Sequence, residues 1–146
     1  MAQIYKNILL ATDGSKEATA AFKRAVAIAL ENPDATLNIA NVINTAALGT
    51  FGFSISQSTL EDLAVQSLKS LADLRKQARQ AGVKHTEAIL QYGSPRRRIS
   101  FIIPKQRKID LIVLGATGVS GFSRLMVGSV TDFVMVHAQP DVLVVR

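Results

Sequence analysis

Five short strand-like runs, four of them mainly apolar and one with polar alternation, alternate along this chain with segments whose apolar residues recur at helical spacing. The runs cover residues 4–12, 36–43, 84–92, 109–114 and 141–145. Strands and helices that alternate in this way form a parallel sheet with right-handed crossovers and with helices on both faces. The pattern predicts a single α/β domain over residues 1–146, with three layers and a doubly wound, five-stranded parallel sheet.

Two of these strands should meet at a ligand-binding crevice. In a doubly wound sheet, ligands bind beyond the carboxyl ends of the strands, where the strand order reverses. The first and fourth strands are the natural neighbours at that point. Asp13 follows the first strand and Gly115 ends the fourth, so we expect both to face one crevice. The alternative is that Asp13 only caps the following helix, a role that Ser15 could also fill.

The fourth strand leads into a glycine-rich segment. Gly115, Gly118 and Gly128 precede Ser129, which begins a predicted helix that extends to His137. Glycines let the backbone approach a phosphate closely, and the free N–H groups of a helix start bind anions. The chain has no G-x-x-x-x-G-K-[ST] and no G-x-G-x-x-G after a strand, so the common phosphate-binding fingerprints are excluded. The alternative role of these residues is in turns and helix capping.

The spacing Gly-x2-Gly-x9-Gly-Ser resembles the nucleotide-binding motif of the universal stress proteins, in the class that binds ATP. Its four residues are Gly115, Gly118, Gly128 and Ser129. The resemblance extends over almost the whole chain, from residues 7–15 to residues 141–145. It implies a flavodoxin- or Rossmann-like, adenine-nucleotide-binding fold, with ATP as the cofactor and magnesium as a companion of the phosphates.

The resemblance also implies roles for individual residues. Asp13 is the acidic residue beside the nucleotide, and Ala11 and Val42 line the adenine, a role compatible with ordinary core packing. Thr117 stands where many relatives carry histidine, and its hydroxyl can still hydrogen-bond a phosphate. No catalytic residue and no metal ligand is predicted. The predicted nucleotide-binding residues are Ala11, Asp13, Val42, Leu114, Gly115, Thr117, Gly118, Gly128, Ser129 and Val130.

The function that this resemblance implies is a nucleotide-dependent regulatory module of the stress response. The nucleotide would order the glycine-rich segment and the long predicted loop from Asn44 to Gln57, and so change a surface that an unidentified protein partner recognises. Two alternatives stay open: a slow ATP or nucleotide hydrolase at the same site, and a nucleotide-free dimerisation module. The chain has no G-x-S-x-G elbow, and His85 and His137 have no metal-ligand spacing. We therefore expect at most weak ATP hydrolysis.

Three consecutive arginines lie where a helix disfavours cations. Pro95 begins a predicted helix, and Arg96, Arg97 and Arg98 fill its first turn, at the positive end of the helix dipole. Because the dipole gives them no stabilising role, we hypothesise that they contact an anion or an acidic partner. Solvated surface charge is the alternative. Pro104 lies within or at the end of the same helix and removes one hydrogen bond.

The composition of the chain limits the classes of partner and the cellular location that we expect. The net charge of +6 raises the question of nucleic acid, but with 5% aromatic residues and no Trp a base-stacking surface is disfavoured. No apolar run reaches the ~18 residues of a membrane span, and the N-terminus lacks a secretory signal pattern. Cysteine is absent. We expect a cytoplasmic protein without membrane contact.

The last strand is predicted at an edge of the sheet, where an exposed apolar strand must be paired or protected. The apolar run from Val142 to Val145 can pair with its own copy about a two-fold axis, which closes the assembly as a homodimer. The resemblance implies this pairing too, in antiparallel orientation. The alternative is a monomer whose last strand is protected by its shortness and by Asp141 and Arg146 at its ends.

Two local predictions concern the middle of the chain. The helix after the long loop should begin at Ser58, with Glu61 at the spacing of a capping box. The third strand, 84–92, alternates polar with apolar residues, which places it at the other edge of the sheet.

Overall fold

The computed structural model describes residues 4–15, 18–48, 56–116 and 127–146. Within them, strands alternate with helices along the chain. The strands are β1 Asn7–Ala11, β2 Thr36–Ile43, β3 His85–Tyr92, β4 Leu111–Gly115 and β5 Asp141–Val145. The helices are α1 Ala18–Glu31, α2 Thr45–Leu48, α3 Gln57–Gln80, α4 Pro95–Arg97, α5 Ile103–Arg107 and α6 Ser129–His137, and a π-helical turn, Arg98–Ile102, joins α4 to α5.

All five strands run parallel in one sheet, in the order β3-β2-β1-β4-β5. Because β1 pairs with β2 on one side and with β4 on the other, the strand order reverses between β1 and β4. β3 and β5 form the two edges. The predicted fold class is confirmed, and so is the edge position of the third and fifth strands.

The central strands are apolar because helices cover both of their faces. Ile8, Leu9 and Leu10 of β1 have no solvent-exposed surface. Ile8 and Leu10 pack into a core shared with α1 and α3, whereas Leu9 packs into a second core that includes Ile103 of α5 and Val134 of α6. Burying one such aliphatic side chain contributes roughly 1.5–3 kcal/mol, so continuous apolar runs, rather than alternating ones, form these strands.

β1 is shorter than the predicted strand of residues 4–12. Side chains, rather than a neighbouring strand, accept the N–H groups that precede the ladder. Asn32 Oδ1 accepts from Ile4 and Tyr5 at 2.8 and 2.9 Å, and the Asp110 carboxylate accepts from Lys6 and Asn7 at 2.8 and 3.0 Å. Regular pairing with β2 therefore begins at Asn7.

The predicted start of α3 is wrong by a small margin. The helix begins at Gln57, and Ser56 is its N-cap, with the Ser56 hydroxyl accepting from the N–H of Thr59 at 3.2 Å. Glu61 does not complete a capping box with Ser58, because its carboxylate accepts a hydrogen bond from the Gln57 amide instead. Ser56, two residues earlier, offers the same capping hydroxyl, so the helix begins earlier than predicted.

The helix from Pro95 to Arg107 passes Pro104 without ending there. The N–H of Ile103 donates to the carbonyl of Arg98, which is the wider hydrogen-bonding step of a π-helix. This π-turn lies directly before Pro104, the residue that has no N–H to contribute and whose ring would crowd the preceding turn. The helix ends at Lys108, whose φ of 52° is left-handed.

The segment from Asn44 to Gln57 is more regular at its start than predicted. Residues 45–48 form the short helix α2, so the prediction of a loop without regular structure is wrong there. Residues 49–55 lie outside the described part of the chain. In the part that is described, no helix is both long and apolar enough to cross a bilayer.

Candidate functional site

A crevice of about 340 Å³ lies beyond the carboxyl ends of β1 and β4, where the strand order reverses. Its volume falls within the range of roughly 300–1,000 Å³ that is usual for small-molecule sites. Eight of the predicted nucleotide-binding residues line it: Ala11, Asp13, Val42, Leu114, Gly115, Gly128, Ser129 and Val130. The other two, Thr117 and Gly118, lie outside the described residues. The expectation that Asp13 and Gly115 face one crevice is confirmed.

The crevice also contains residues that the sequence did not single out. Thr12 and Asn44 directly follow β1 and β2, Asn41 lies near the carboxyl end of β2, Pro95 and Ile99 come from the helix after β3, and Thr131 comes from α6. A signal for them existed. Every strand of a parallel sheet points its carboxyl end to the same side, so the first residues after β2 and β3 belong at this edge as well.

One wall of the crevice is apolar. Leu114 and Ile99 are 4% and 6% exposed, and Ala11 and Val42 pack partly buried against the same core. These side chains offer a non-polar surface with no hydrogen-bonding group, which suits the face of a flat ring.

The turn after β1 is held by its own side chains. The N–H of Gly14 donates to Thr12 Oγ1 at 3.2 Å, and the N–H of Ser15 donates to Asp13 Oδ1 at 2.9 Å. Gly14 has a φ of +78°, which only glycine adopts easily. Among the described residues, Ser15 Oγ has no hydrogen-bond partner. The exposed Asp13 carboxylate faces the crevice with one oxygen committed to this turn.

The opposite side of the crevice is the start of α6. The N-cap is Gly128, which has no side chain to accept a hydrogen bond from the first turn, and the first intrahelical bond runs from Asp132 N–H to Gly128 C=O at 2.9 Å. The N–H groups of Ser129, Val130 and Thr131 precede that bond and belong to residues that line the crevice. Backbone donors at a helix start, together with the positive end of its dipole, form an anion-binding site.

Two hydrogen bonds fix α6 against β4. The Thr131 hydroxyl donates to the carbonyl of Gly115 at 2.7 Å, and the N–H of Gly128 donates to the carbonyl of Ala116, also at 2.7 Å. Thr131 is buried, so the first bond is shielded from water. The helix start and the end of β4 are therefore a rigid pair.

The chemistry of the crevice suits binding. Among its described lining residues, Asp13 is the single ionisable side chain. The described part of the chain contains no cluster of three or more His, Asp or Glu residues that could hold a metal ion. The exposed His85 begins β3, and the exposed His137 ends α6, where its ring lies 4.3 Å from that of Phe133. Neither histidine lines the crevice.

A sequence profile described as "Universal stress protein family" matches residues 4–146. The chain belongs to that family. This universal stress protein is 39% identical over 142 residues to a Staphylococcus haemolyticus protein that carries the family's name, with 97% of this chain and 85% of the relative aligned. A Staphylococcus aureus (strain USA300) relative of the same name is 41% identical over 142 residues, with 97% and 84% aligned.

Solved structures agree with this assignment. The universal stress protein UspA of Lactobacillus plantarum superposes with a TM-score of 0.82 at 29% identity, over 100% of both chains. A universal stress protein crystallised in complex with cAMP superposes with a TM-score of 0.69 at 25% identity, over 97% of both chains. A relative with this fold therefore binds an adenine nucleotide.

The three arginines have structural contacts that the sequence did not predict. The guanidinium carbon of Arg96 lies 5.9 Å from the centroid of the Phe133 ring, and Arg98 Nη1 donates to Gln91 Oε1 at 3.3 Å. Ser94 caps the turn by accepting from the N–H of Arg97. The hypothesis that the three arginines contact an anion or an acidic partner stays a prediction, and the structure adds contacts within the chain for Arg96 and Arg98. Both side chains contact residues on other elements of the fold, Arg96 with Phe133 on α6 and Arg98 with Gln91 on β3.

Proposed function

We propose that this universal stress protein binds ATP in the crevice between β1 and β4 and acts as a nucleotide-dependent regulatory module. The observation that carries the proposal is the crevice itself. It combines an apolar wall, a carboxylate and a glycine-capped helix start at the point where a doubly wound sheet binds its ligand. The cAMP complex of a related universal stress protein supports an adenine nucleotide as the ligand class.

Each part of the nucleotide has a matching surface. The adenine packs against Ala11, Val42 and Leu114, and the ribose hydroxyls donate to the free oxygen of Asp13. The phosphates accept from the N–H groups at the α6 start and from the Ser129 hydroxyl, and Gly128 lets them approach closely. Thr117 and Gly118 stay predictions of the same phosphate site. Magnesium enters with the triphosphate, because this ion usually keeps phosphate oxygens and waters as ligands beside one or two carboxylates.

Regulation follows from the elements that the nucleotide contacts. Asn44 lines the crevice and directly precedes α2, so a bound nucleotide favours one arrangement of the chain at this point. The altered surface is what a protein partner recognises. The homodimer is part of the same proposal, with β5 as the contact strand.

Two measurements on the full chain test the proposal. Isothermal titration calorimetry should detect ATP binding, and mass spectrometry of the gently purified protein should find a retained adenine nucleotide. Steady-state turnover at saturating ATP separates a binding module from a hydrolase: we expect a rate near the uncatalysed background. Absence of binding to ATP, ADP and AMP alike would contradict the assignment of this crevice.

A further inference from the structure

The net positive charge of the protein has one source in the chain. Of 17 Lys and Arg residues and 11 Asp and Glu residues, the stretch 95–108 contains six of the basic residues and none of the acidic ones. The rest of the chain is therefore electrically balanced. Three of these cations, Arg96, Arg97 and Arg98, lie at the crevice end of the helix, because it starts directly after the carboxyl end of β3.

Arg96 is held beside α6 by an aromatic ring. Its guanidinium carbon lies 5.9 Å from the centroid of Phe133. That ring is itself positioned by its neighbours: Phe101 meets it edge-on at 6.0 Å, and the His137 ring lies 4.3 Å away. A cation over the face of a phenyl ring at this distance is weakly attracted, so the side chain is positioned without being tightly bound.

The position of Phe133 on α6 places this cation close to the proposed phosphate site. Ser129 and Phe133 are four residues apart, so they share one side of the helix and are separated by about 6 Å along its axis. Ser129 lines the crevice at the start of α6, and Pro95, which precedes Arg96 in the chain, lines the crevice from the facing helix. Arg96 thus stands beside α6 about one turn beyond the helix start, just outside the residues that line the crevice.

We propose that Arg96 binds the terminal phosphate of ATP and gives the crevice a preference for the triphosphate over AMP. This inference rests on the proposed function. With the adenine against the apolar wall and the first phosphate at the α6 start, additional phosphates extend toward the rim where Arg96 stands. Its planar guanidinium matches phosphate oxygens in a bidentate geometry, and it gives up only the weak contact with Phe133 to do so.

The neighbouring arginines do not share this position. Arg98 is committed to Gln91, and its guanidinium lies close to Gly93, toward β3. Arg97 has an exposed side chain on the same turn. It carries the same charge on the same helical turn, so it is a matched control for the general electrostatic field.

The test is calorimetric titration of the full chain with ATP, ADP and AMP, for the unmodified protein and for Arg96→Gln, Arg97→Gln and Arg96→Lys. Arg96→Gln should weaken ATP binding about ten-fold, the value of one charge-assisted contact that solvent partly screens. Its effect on AMP should be less than about two-fold, and Arg97→Gln should change either nucleotide by no more than that. Arg96→Lys should recover part of the preference for ATP.

Any of three results would overturn the role of Arg96. Equal weakening of ATP and AMP by Arg96→Gln would indicate a disturbed crevice, and equal effects of Arg96→Gln and Arg97→Gln would indicate the general field of the basic helix. An unmodified protein that binds none of the three nucleotides would instead refute the proposed function. A protein that binds ATP with its preference unchanged by Arg96→Gln would refute only this inference.

Discussion

At the amino end of the sheet, side chains accept the backbone N–H groups that precede β1, whereas at the carboxyl end the first N–H groups of α6 face a crevice. Asn32 and Asp110 together accept four backbone donors at the amino end, and the Tyr5 hydroxyl donates to Asp141 Oδ2 at 2.9 Å. These contacts join the start of β1 to α1, β4 and β5. At the amino end, these backbone donors are therefore satisfied within the fold.

The carboxyl end has glycine and small residues at the equivalent places. Gly128 offers no side-chain acceptor to α6, and Gly115 ends β4 with its carbonyl held by Thr131. The same kind of backbone donor therefore stabilises the fold at one end and is available to a ligand at the other. Substitutions at the amino end should change stability, and substitutions at the carboxyl end should change binding.

The largest expected effect is at the carboxyl end. Gly128→Val should weaken ATP binding roughly 100-fold or more, because the side chain occupies the place of a phosphate whose charge-assisted hydrogen bonds are worth roughly 1.5–3 kcal/mol each. The backbone angles of Gly128, φ −62° and ψ 154°, are open to any residue, so the fold should persist. Calorimetry measures the affinity and a thermal melt provides the control. Unchanged affinity would contradict the assignment of the phosphate site to the start of α6.

Substitutions of two asparagines, Asn32 at the amino end and Asn41 at the crevice, allow the two ends of the sheet to be compared directly. Asn32→Ala should lower the free energy of unfolding by about 1–2 kcal/mol, since it removes the acceptor of the partly buried N–H groups of Ile4 and Tyr5 and the donor to the Ile28 carbonyl. Asn41→Ala at the crevice removes one bond, to Ser67 Oγ at 3.1 Å, and should cost less than about 1 kcal/mol. Urea denaturation gives both values. Equal costs would contradict the contrast between the ends.

The edge strand β5 runs between the two ends of the sheet. A substitution on its free edge should change the assembly of the protein and leave its fold intact. Ala116 N–H donates to the Val145 carbonyl, so by strand alternation Val142 and Val144 present their N–H groups to the free edge. Val144→Pro should therefore disrupt the proposed homodimer without breaking the ladder to β4. Sedimentation should give about twice the 15.7 kDa chain mass for the unmodified protein and a shift toward monomer for the variant. A monomeric unmodified protein at micromolar concentration would exclude this interface.

The arginines of α4 should have a small effect on stability. Arg96→Gln loses the contact with Phe133 but gains the same relief from the helix dipole as Arg97→Gln, so it should lower the free energy of unfolding by no more than about 0.5 kcal/mol. Arg97→Gln should raise it by a few tenths of a kcal/mol, because a cation leaves the positive end of a helix dipole. Thermal melts of the two variants at low salt check the difference. Identical shifts would mean that Phe133 contributes nothing to holding Arg96.

The smallest effect concerns Tyr5 at the amino end. The hydrogen bond to Asp141 and, to a smaller extent, burial raise the pKa of Tyr5 above its ordinary value of 10.0. A raised pKa means that the stabilisation is complete below pH 10 and is lost as the pH rises through the folded-state pKa. The melting temperature of Tyr5→Phe should therefore lie slightly below that of the unmodified protein at pH 8, and the two should converge at high pH. A difference that grows with pH would contradict this sign.

Much of the site was predictable because its residues follow buried strands. Asp13 and Gly115 stand at the ends of the first and fourth strands, and the reversal rule placed them at one crevice, whereas Ala11 and Leu114 were predicted with the help of the family resemblance. Asn41, Pro95 and Thr131 were missed. For Asn41 and Pro95 the available signal was their place near the carboxyl ends of β2 and β3, whereas Thr131 is brought to the crevice by the packing of α6.

The helix termini and the arginines show a different limit. Ser56 and Ser58 offer the same capping chemistry, and in the structure Ser56 is the residue that caps α3. Arg96 looked unfavourable from the dipole of its own helix, because its contact is with a ring on α6 that lies far along the chain. Rules based on local sequence describe a single helix or strand, whereas a contact such as that of Arg96 depends on two elements that pack together.

The sequence by itself determined the class of fold, the order of the elements, the two edge strands and the end of the sheet that carries the crevice. It could do so because hydrophobic periodicity and glycine positions act locally and because parallel βαβ units have one handedness. Only the tertiary structure decided which side chains close the amino end, how the helix accommodates Pro104 and where Arg96 lies. Those outcomes depend on distances between segments remote in sequence, and packing, rather than local propensity, sets such distances.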